Sequence, residues 1–540
     1  MRKIESIFTG VALLAVIAVT GGVIWNKVHT SSDVTVVARP FPDTKYGSFL
    51  AAQHAIYVND FDAASDFSQK LSDADYLVVS NVKMMSDFLN GRMPENAAVL
   101  KKEKGLAARF IYDAYLVTQG DWKEFHNRHK TENVALVAPL RIWSAIANDW
   151  RTNTFKFIDG LSTSDTWKNF VRGQIYAELG QVETAVSYFE QVSSEFMNIN
   201  DYLYLMSFYT HHGMSERATA LRSEFTSRPS GMFLLNYDQI PDWSMFSGYA
   251  NQLAFSLVQT VSHTQVLMYS DMAVLMLRFA QLVAPEYASN SEAINYYLGQ
   301  YFYTNGGNWA SLFAKITPDS PFYLFSVLRQ AEKSGDMTAL ASVLDKHPLF
   351  VPAMNKLIAY NIKRGDKKGA LSIVKRALSD DNLDEAGRAF FLKSRAQIHF
   401  VFGDYDAAQR DLTDAMSVLE YDAEFLSLQA KIWAAQNRDI ERAYNYAMTL
   451  VTKDPTDILA WDTLGYVVSV REGAYAALDV LERVGEISET HSSLFLHLGD
   501  IYVSLGQSSK ARDAYMRAID LSDDGLVVVP EIERKLRKLK

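Results

Sequence analysis

Towards its C-terminal end the chain places Phe495, Leu498, Gly499, Tyr502, Gly506, Ala511, Tyr515 and Ala518 at relative spacings of 0, 3, 4, 7, 11, 16, 20 and 23. The first four positions make one apolar face of a helix, with a glycine where another helix must come close. Gly506 and Gln507 supply a turn, and Ala511, Tyr515 and Ala518 form the facing stripe of a second helix. The same pattern stands one period upstream. Trp461, Leu464, Gly465 and Val468 predict a first helix, and Ala477, Leu481 and Val484 a second. Trp461 and Phe495 are 34 residues apart, as are Gly465 and Gly499.

This spacing resembles the tetratricopeptide family, whose unit is a pair of antiparallel helices in 34 residues. Asp454 and Pro455 lie where that family places its inter-repeat proline, and Asp520 to Asp524 form a proline-free equivalent. More degenerate units precede the pair. Leu426, Ala430, Trp433, Ala443, Ala447 and Leu450 make one, with an extra residue in the turn. Leu392, Ala396, Gly403, Ala408, Leu412 and Ala415 make another, and Met354, Leu357, Gly365, Ala370, Val374 and Ala377 a third. Far upstream, Gly173, Tyr176, Gly180, Ala185, Phe189 and Val192 fit well. Ala52, Ala55, Asn59, Ala64 and Phe67 fit with asparagine in the glycine position, a residue that also accepts turn geometry. One hairpin cannot bury its own apolar face, whereas a stack can, and a small rotation per unit curls the stack around a concave surface.

The predicted fold is therefore an all-α superhelical solenoid of tetratricopeptide-like hairpins. The expected organisation is a degenerate array over 45–228, an irregular helical region over 229–300, and a second array over 301–540 ending in a charged capping helix from Glu531 to Lys540. In the middle region Pro229, Gly231, Pro241 and Gly248 punctuate an aromatic run that includes Phe233, Tyr237, Trp243 and Phe246. Met268, Met272, Met276 and Phe279 follow; methionine suits irregular core gaps. Asp271 and Arg278 argue against a membrane span there.

A second expectation concerns the start of the chain. Arg2 and Lys3 precede an uncharged run from Ile7 to Trp25, about 28 Å long as a helix. That length suits a hydrocarbon core of about 30 Å. Residues 1–27 accordingly read as a transmembrane anchor, with a cleaved signal peptide as the alternative, and residues 28–44 as a linker. The basic start favours an inner-membrane, single-pass topology with the C-terminal portion in the bacterial periplasm.

Composition narrows the chemistry. The 540 residues are 48% hydrophobic and 21% charged, with net charge −10, which speaks against disorder and against nucleic acid as a partner. The sequence has no cysteine, which excludes disulfides and thiolate chemistry. It contains no HExxH, GxSxG, GxxxxGK[ST] or GxGxxG motif. Glu124, His126 and His129 are the nearest approach to a metal cluster, but Lys123, Arg128 and Lys130 would repel a cation. His211 and His212 read as helix-end residues, and Trp143 and Trp150 as packing on one helix face. No catalytic residue, metal ligand or cofactor is nominated.

The expected function is a non-enzymatic, membrane-tethered scaffold that binds protein or peptide partners, or copies of itself. The resemblance implies service in bacterial envelope assembly or secretion. The alternative is an enzyme, or a subunit required by a membrane-associated glycan- or lipid-handling enzyme. The first-helix positions Asp462, Thr463, His497 and Asp500 do not form the basic clamp that members of the resembled family use for acidic C-terminal peptides.

Overall fold

The computed structural model describes residues 45–71, 77–237, 239–264, 270–416, 422–488 and 490–539. Among these, every regular element is an α-helix or a short 3-10 turn. The all-α, tetratricopeptide-like hairpin solenoid stands.

The membrane-anchored form of that fold is corrected. No helix among the described residues is long and apolar enough to cross a membrane. The longest, Glu385–Val401, has 17 residues and carries Glu385, Arg388, Lys393 and Arg395, whereas a span needs about 20 mostly apolar residues. The run Ile7–Trp25 and the linker 28–44 lie outside the described residues. The anchor, membrane contact through residues 7–25, the inner-membrane and periplasmic placement, and the envelope or secretion role built on them are not carried forward.

The described residues divide into two compact units: those up to 211 together with those of 241–322, and those of 212–240 together with those from 323 onward. In the first unit, successive helix pairs include Lys45–Tyr57 with Phe61–Gln69, and Asp165–Glu178 with Val182–Phe189. Asn59 turns the first pair with φ of 58°, the role inferred for it from its glycine-like position. The core is aromatic. The buried ring of Tyr204 touches Phe170, Phe189, Trp243, Phe246 and Phe255, with centroids 4.6 to 6.1 Å away. Its hydroxyl lies 3.2 Å from Gln252 Oε1, so this buried polar atom is satisfied. Arg278 is buried on Asp271–Val283, and Asp271 accepts from the Tyr301 hydroxyl at 2.6 Å.

In the second unit six hairpins follow one another from Tyr323 to Asp520. Their first helices are Tyr323–Ser334, Val351–Arg364, Glu385–Val401, Ala423–Ala435, Ile458–Arg471 and Ser492–Ser504. Each packs on its own second helix. The spacing noticed in the sequence has a steric cause. A Cβ on Gly499 would lie 2.3 Å from Tyr515 Cε1, and one on Gly465 would lie 2.2 Å from Leu481 Cγ. Sixteen residues separate the members of each pair. In the first unit Gly173 and Phe189, also sixteen apart, make the same close approach. The extra residue in the 435–440 turn is absorbed by Asn437 and Asp439, both with positive φ.

After the sixth hairpin, a 3-10 turn Ser522–Asp524 and the helix Val529–Lys538 pack against Val351–Arg364. A Cβ on Gly525 would meet the Cα of Ala359 at 2.7 Å, and Lys363 Nζ donates to Asp523 Oδ1 at 2.7 Å. The array of the second unit thus turns back on itself.

Candidate functional site

The first helices of the second unit line a cavity of about 450 Å³. Asn355 and Ile358 come from one helix, Phe390 and Gln397 from the next, Leu428 from the third and Leu459 from the fourth. Asp524, Gly525 and Leu526 form its edge at the point of closure. This is the concave surface the repeat predicts, narrowed by the returning segment.

The two lysines around it are matched within the array. Lys393 is buried and donates to Asp422 Oδ2 at 2.7 Å and to Glu424 Oε2 at 2.8 Å. Burial works against its charge, but the two carboxylates outweigh it and hold its pKa above the ordinary lysine value. Lys431 Nζ donates to Asp462 Oδ2 at 3.0 Å. Asp462 also accepts from Ser493 Oγ at 2.9 Å, and its Oδ1 lies 2.6 Å from His497 Nδ1. An ionised carboxylate only accepts, so that imidazole nitrogen carries the proton. Burial disfavours the Asp462 charge; His497 and Lys431 overcome this and hold the carboxyl well below its usual range.

The four first-helix positions named from the sequence are therefore structural. Asp462 and Thr463 are fully buried. Thr463 Oγ1 donates to Leu459 O at 2.8 Å, so Ser427 Oγ, 2.7 Å away, is the donor between them. Asp500 accepts from Tyr515 at 2.5 Å and from Lys535 Nζ at 2.5 Å, which fastens the helix Val529–Lys538. What remains on the concave wall is apolar, amide or hydroxyl, together with two carboxylates held by their own chain: Asp457 accepts from Leu459 N at 2.9 Å, and Asp524 from Ser492 N at 2.8 Å and Ser492 Oγ at 2.6 Å.

The histidine cluster read from the sequence is dispersed. His126 Nδ1 pairs with Ser144 Oγ at 3.1 Å, and Glu124 with Lys101 at 3.3 Å. His129 is buried between Asp113 (3.0 Å) and Glu132 (2.9 Å). Among the described residues no group of three or more His, Cys, Asp or Glu is placed to hold a metal ion. Trp143 and Trp150 do not share a helix. Trp143 is buried and donates to Ser256 Oγ at 2.9 Å, while Trp150 precedes the helix Arg151–Asp159 and is 44% exposed.

A tetratricopeptide repeat model matches residues 169–194 and 492–524, a small part of the chain. No curated protein matches it. Among solved structures it is similar to a tetratricopeptide repeat protein from Parabacteroides merdae ATCC 43184, at 14% identity over 54% of this chain and 98% of that one, with TM-score 0.32. It is similar to the Cut9–Hcn1 hetero-tetramer of the APC/C at 13% identity, over 89% and 95% of the two chains, with TM-score 0.29. It is also similar to yeast Tom70 at 13% identity, over 92% and 96%, with TM-score 0.29. At scores this low the repeat assignment rests on the two matched spans and on the glycine-centred packing within the hairpins.

Proposed function

We propose that the chain is a protein-binding scaffold, and that the concave cavity of its second unit takes an extended, weakly charged segment of a partner. The observation that carries this reading is the internal matching of Lys393 and Lys431 by Asp422, Glu424 and Asp462. A ligand with a formal charge would have to compete with those pairs. The wall offered by Ile358, Phe390, Leu428 and Leu459 is apolar, and the amides of Asn355 and Gln397 both donate and accept, as a peptide backbone requires.

A random dodecapeptide library displayed on phage, selected against the full chain, tests this. Enriched peptides should be rich in apolar and uncharged residues, and their binding should be lost in a chain carrying Ile358→Arg and Gln397→Arg. Enrichment of strongly acidic or basic peptides, binding that survives both substitutions, or no enrichment would each overturn the reading.

A further inference from the structure

A second cavity lies wholly within the first unit, between the helices Trp122–His129, Ala138–Ala147 and Arg151–Asp159. It measures about 700 Å³, within the range of pockets that hold small ligands. Lys130, Arg141 and Lys156 line it together with His126, Asn153 and Trp150. No aspartate or glutamate contributes to the wall, in a chain whose acids outnumber its lysines and arginines by 63 to 53.

The cationic groups are not used up by the fold. Among the described residues none of the three pairs with a carboxylate within salt-bridge distance. Of the acids flanking Arg141 in sequence, Glu132 is engaged by Arg109 at 2.5 Å and by His129 at 2.9 Å, and Asp149 by Arg151 at 2.8 Å. Arg141 is held in place by one nitrogen, Nη1, which donates to Glu132 O at 2.7 Å and Asn133 Oδ1 at 2.8 Å. Its guanidinium lies 3.9 Å from the centroid of Phe157. The remaining N–H donors keep the fork geometry that suits an oxyanion. His126 registers the resulting field: burial, then Arg141 and Lys130, hold its pKa below the ordinary histidine value.

The aromatic component is separate and equally exposed to the cavity. Trp150 has one side against His126, with ring centroids 4.2 Å apart and the rings nearly perpendicular. Yet 44% of the residue is open, an uncommon disposition for the largest apolar side chain. An open indole beside three cations that have no carboxylate partner matches a ligand that carries a planar ring and an anionic group.

We infer that this cavity is a binding site for a small aromatic oxyanion, its phosphate or carboxylate held by Arg141, Lys130 and Lys156 and its ring stacked on Trp150. Arg141 sets the position of the anion, because its guanidinium is fixed from behind. The two lysines supply charge from flexible, exposed stems. The site is independent of the concave cavity of the second unit, and the two readings stand or fall separately.

Isothermal titration of the full chain with phenyl phosphate, phthalate, inorganic phosphate and benzyl alcohol tests the inference. Phenyl phosphate or phthalate should bind at least about tenfold more tightly than inorganic phosphate, and benzyl alcohol should not bind. Whichever of the two binds better identifies phosphate or carboxylate as the anionic group. Lys130→Gln with Lys156→Gln should weaken that binding about tenfold or more, without moving the thermal midpoint, since both side chains are exposed. Trp150→Ala should remove the preference over inorganic phosphate. Absence of binding by every probe at millimolar concentration overturns the inference. So does binding of phenyl phosphate or phthalate that is unchanged in the double lysine variant.

Discussion

Asp462 and His497, 35 residues apart on successive first helices, face each other with 2.6 Å between carboxylate oxygen and ring nitrogen. Lys431 reaches the same carboxylate from the preceding first helix, Ala423–Ala435, so one buried acid ties three consecutive repeats together. Removing the acid leaves the Lys431 ammonium and the His497 ring N–H facing a void. Asp462→Ala should destabilise the second unit by about 3–5 kcal/mol. Urea unfolding followed by circular dichroism measures this, and a loss below about 1 kcal/mol would show that the network contributes little.

The same carboxyl sets an acid limit. Its folded pKa is depressed, so its contribution is fully present above the unfolded value of about 3.9 and is lost as pH falls through the folded value. The stability gap between the native chain and Asp462→Asn should therefore be constant from pH 7 to pH 5 and shrink below about pH 4. Denaturation at a series of pH values reads this directly. A gap that narrows between pH 7 and 5 instead would assign the dependence to another group.

His129 predicts the opposite sign in the first unit. Burial opposes its proton, but Asp113 and Glu132 outweigh it and raise the pKa. The stabilisation is then complete below about pH 6.5 and is lost as pH rises through the folded value. His129→Gln should cost more stability at pH 5.5 than at pH 8.5, as judged by thermal melts at both.

How much of this could be read in advance depends on what each residue is asked to do. Gly465 and Gly499 were legible because only glycine lets Leu481 and Tyr515 come so close, and steric demand leaves a fixed spacing in the sequence. The network that joins Asp462 to Lys431, Ser493 and His497 is not legible, because a polar side chain on a helix gives no sign of which neighbour covers it. The seven-residue interval between Trp143 and Trp150 suits one helix face, but the helix breaks at Asn148 and Asp149, the latter with φ of 61°, and no glycine or proline marks that break in the sequence. The aromatic packing around Tyr204 has no period to detect, since its partners come from three different helices and a turn.

The steric account of the repeat can be tested by a double-mutant cycle. Gly465→Ala should cost about 1–3 kcal/mol, because its Cβ has no room beside Leu481. Leu481→Ala alone should cost about 2–5 kcal/mol. The pair together should cost clearly less than the sum, because the smaller side chain at 481 makes room for the new methyl group. Additive losses would mean that the clash is relieved elsewhere.

Closure at Gly525 makes a local change felt at a distance. Gly525 has φ of 73° and lies against the backbone of Ala359, so Gly525→Val is strained in both conformation and space. Hydrogen exchange should accelerate in 351–364 as well as in 522–538, while 458–504 keeps its protection. Acceleration confined to 522–538 would show that the contact does not support the helix it touches.

An open stack of repeats can gain or lose a unit at little cost, because each unit answers only to its neighbours. The contact between Gly525 and Ala359 removes that freedom from the second unit. With both ends committed to each other, the number of hairpins between them becomes a fixed quantity, as the number of staves is in a barrel. A duplication or deletion of one 34-residue unit between Glu385 and Asp520 would put the closing turn out of step with Ala359, so gene-level length variation is expected to be tolerated outside this interval and purged within it.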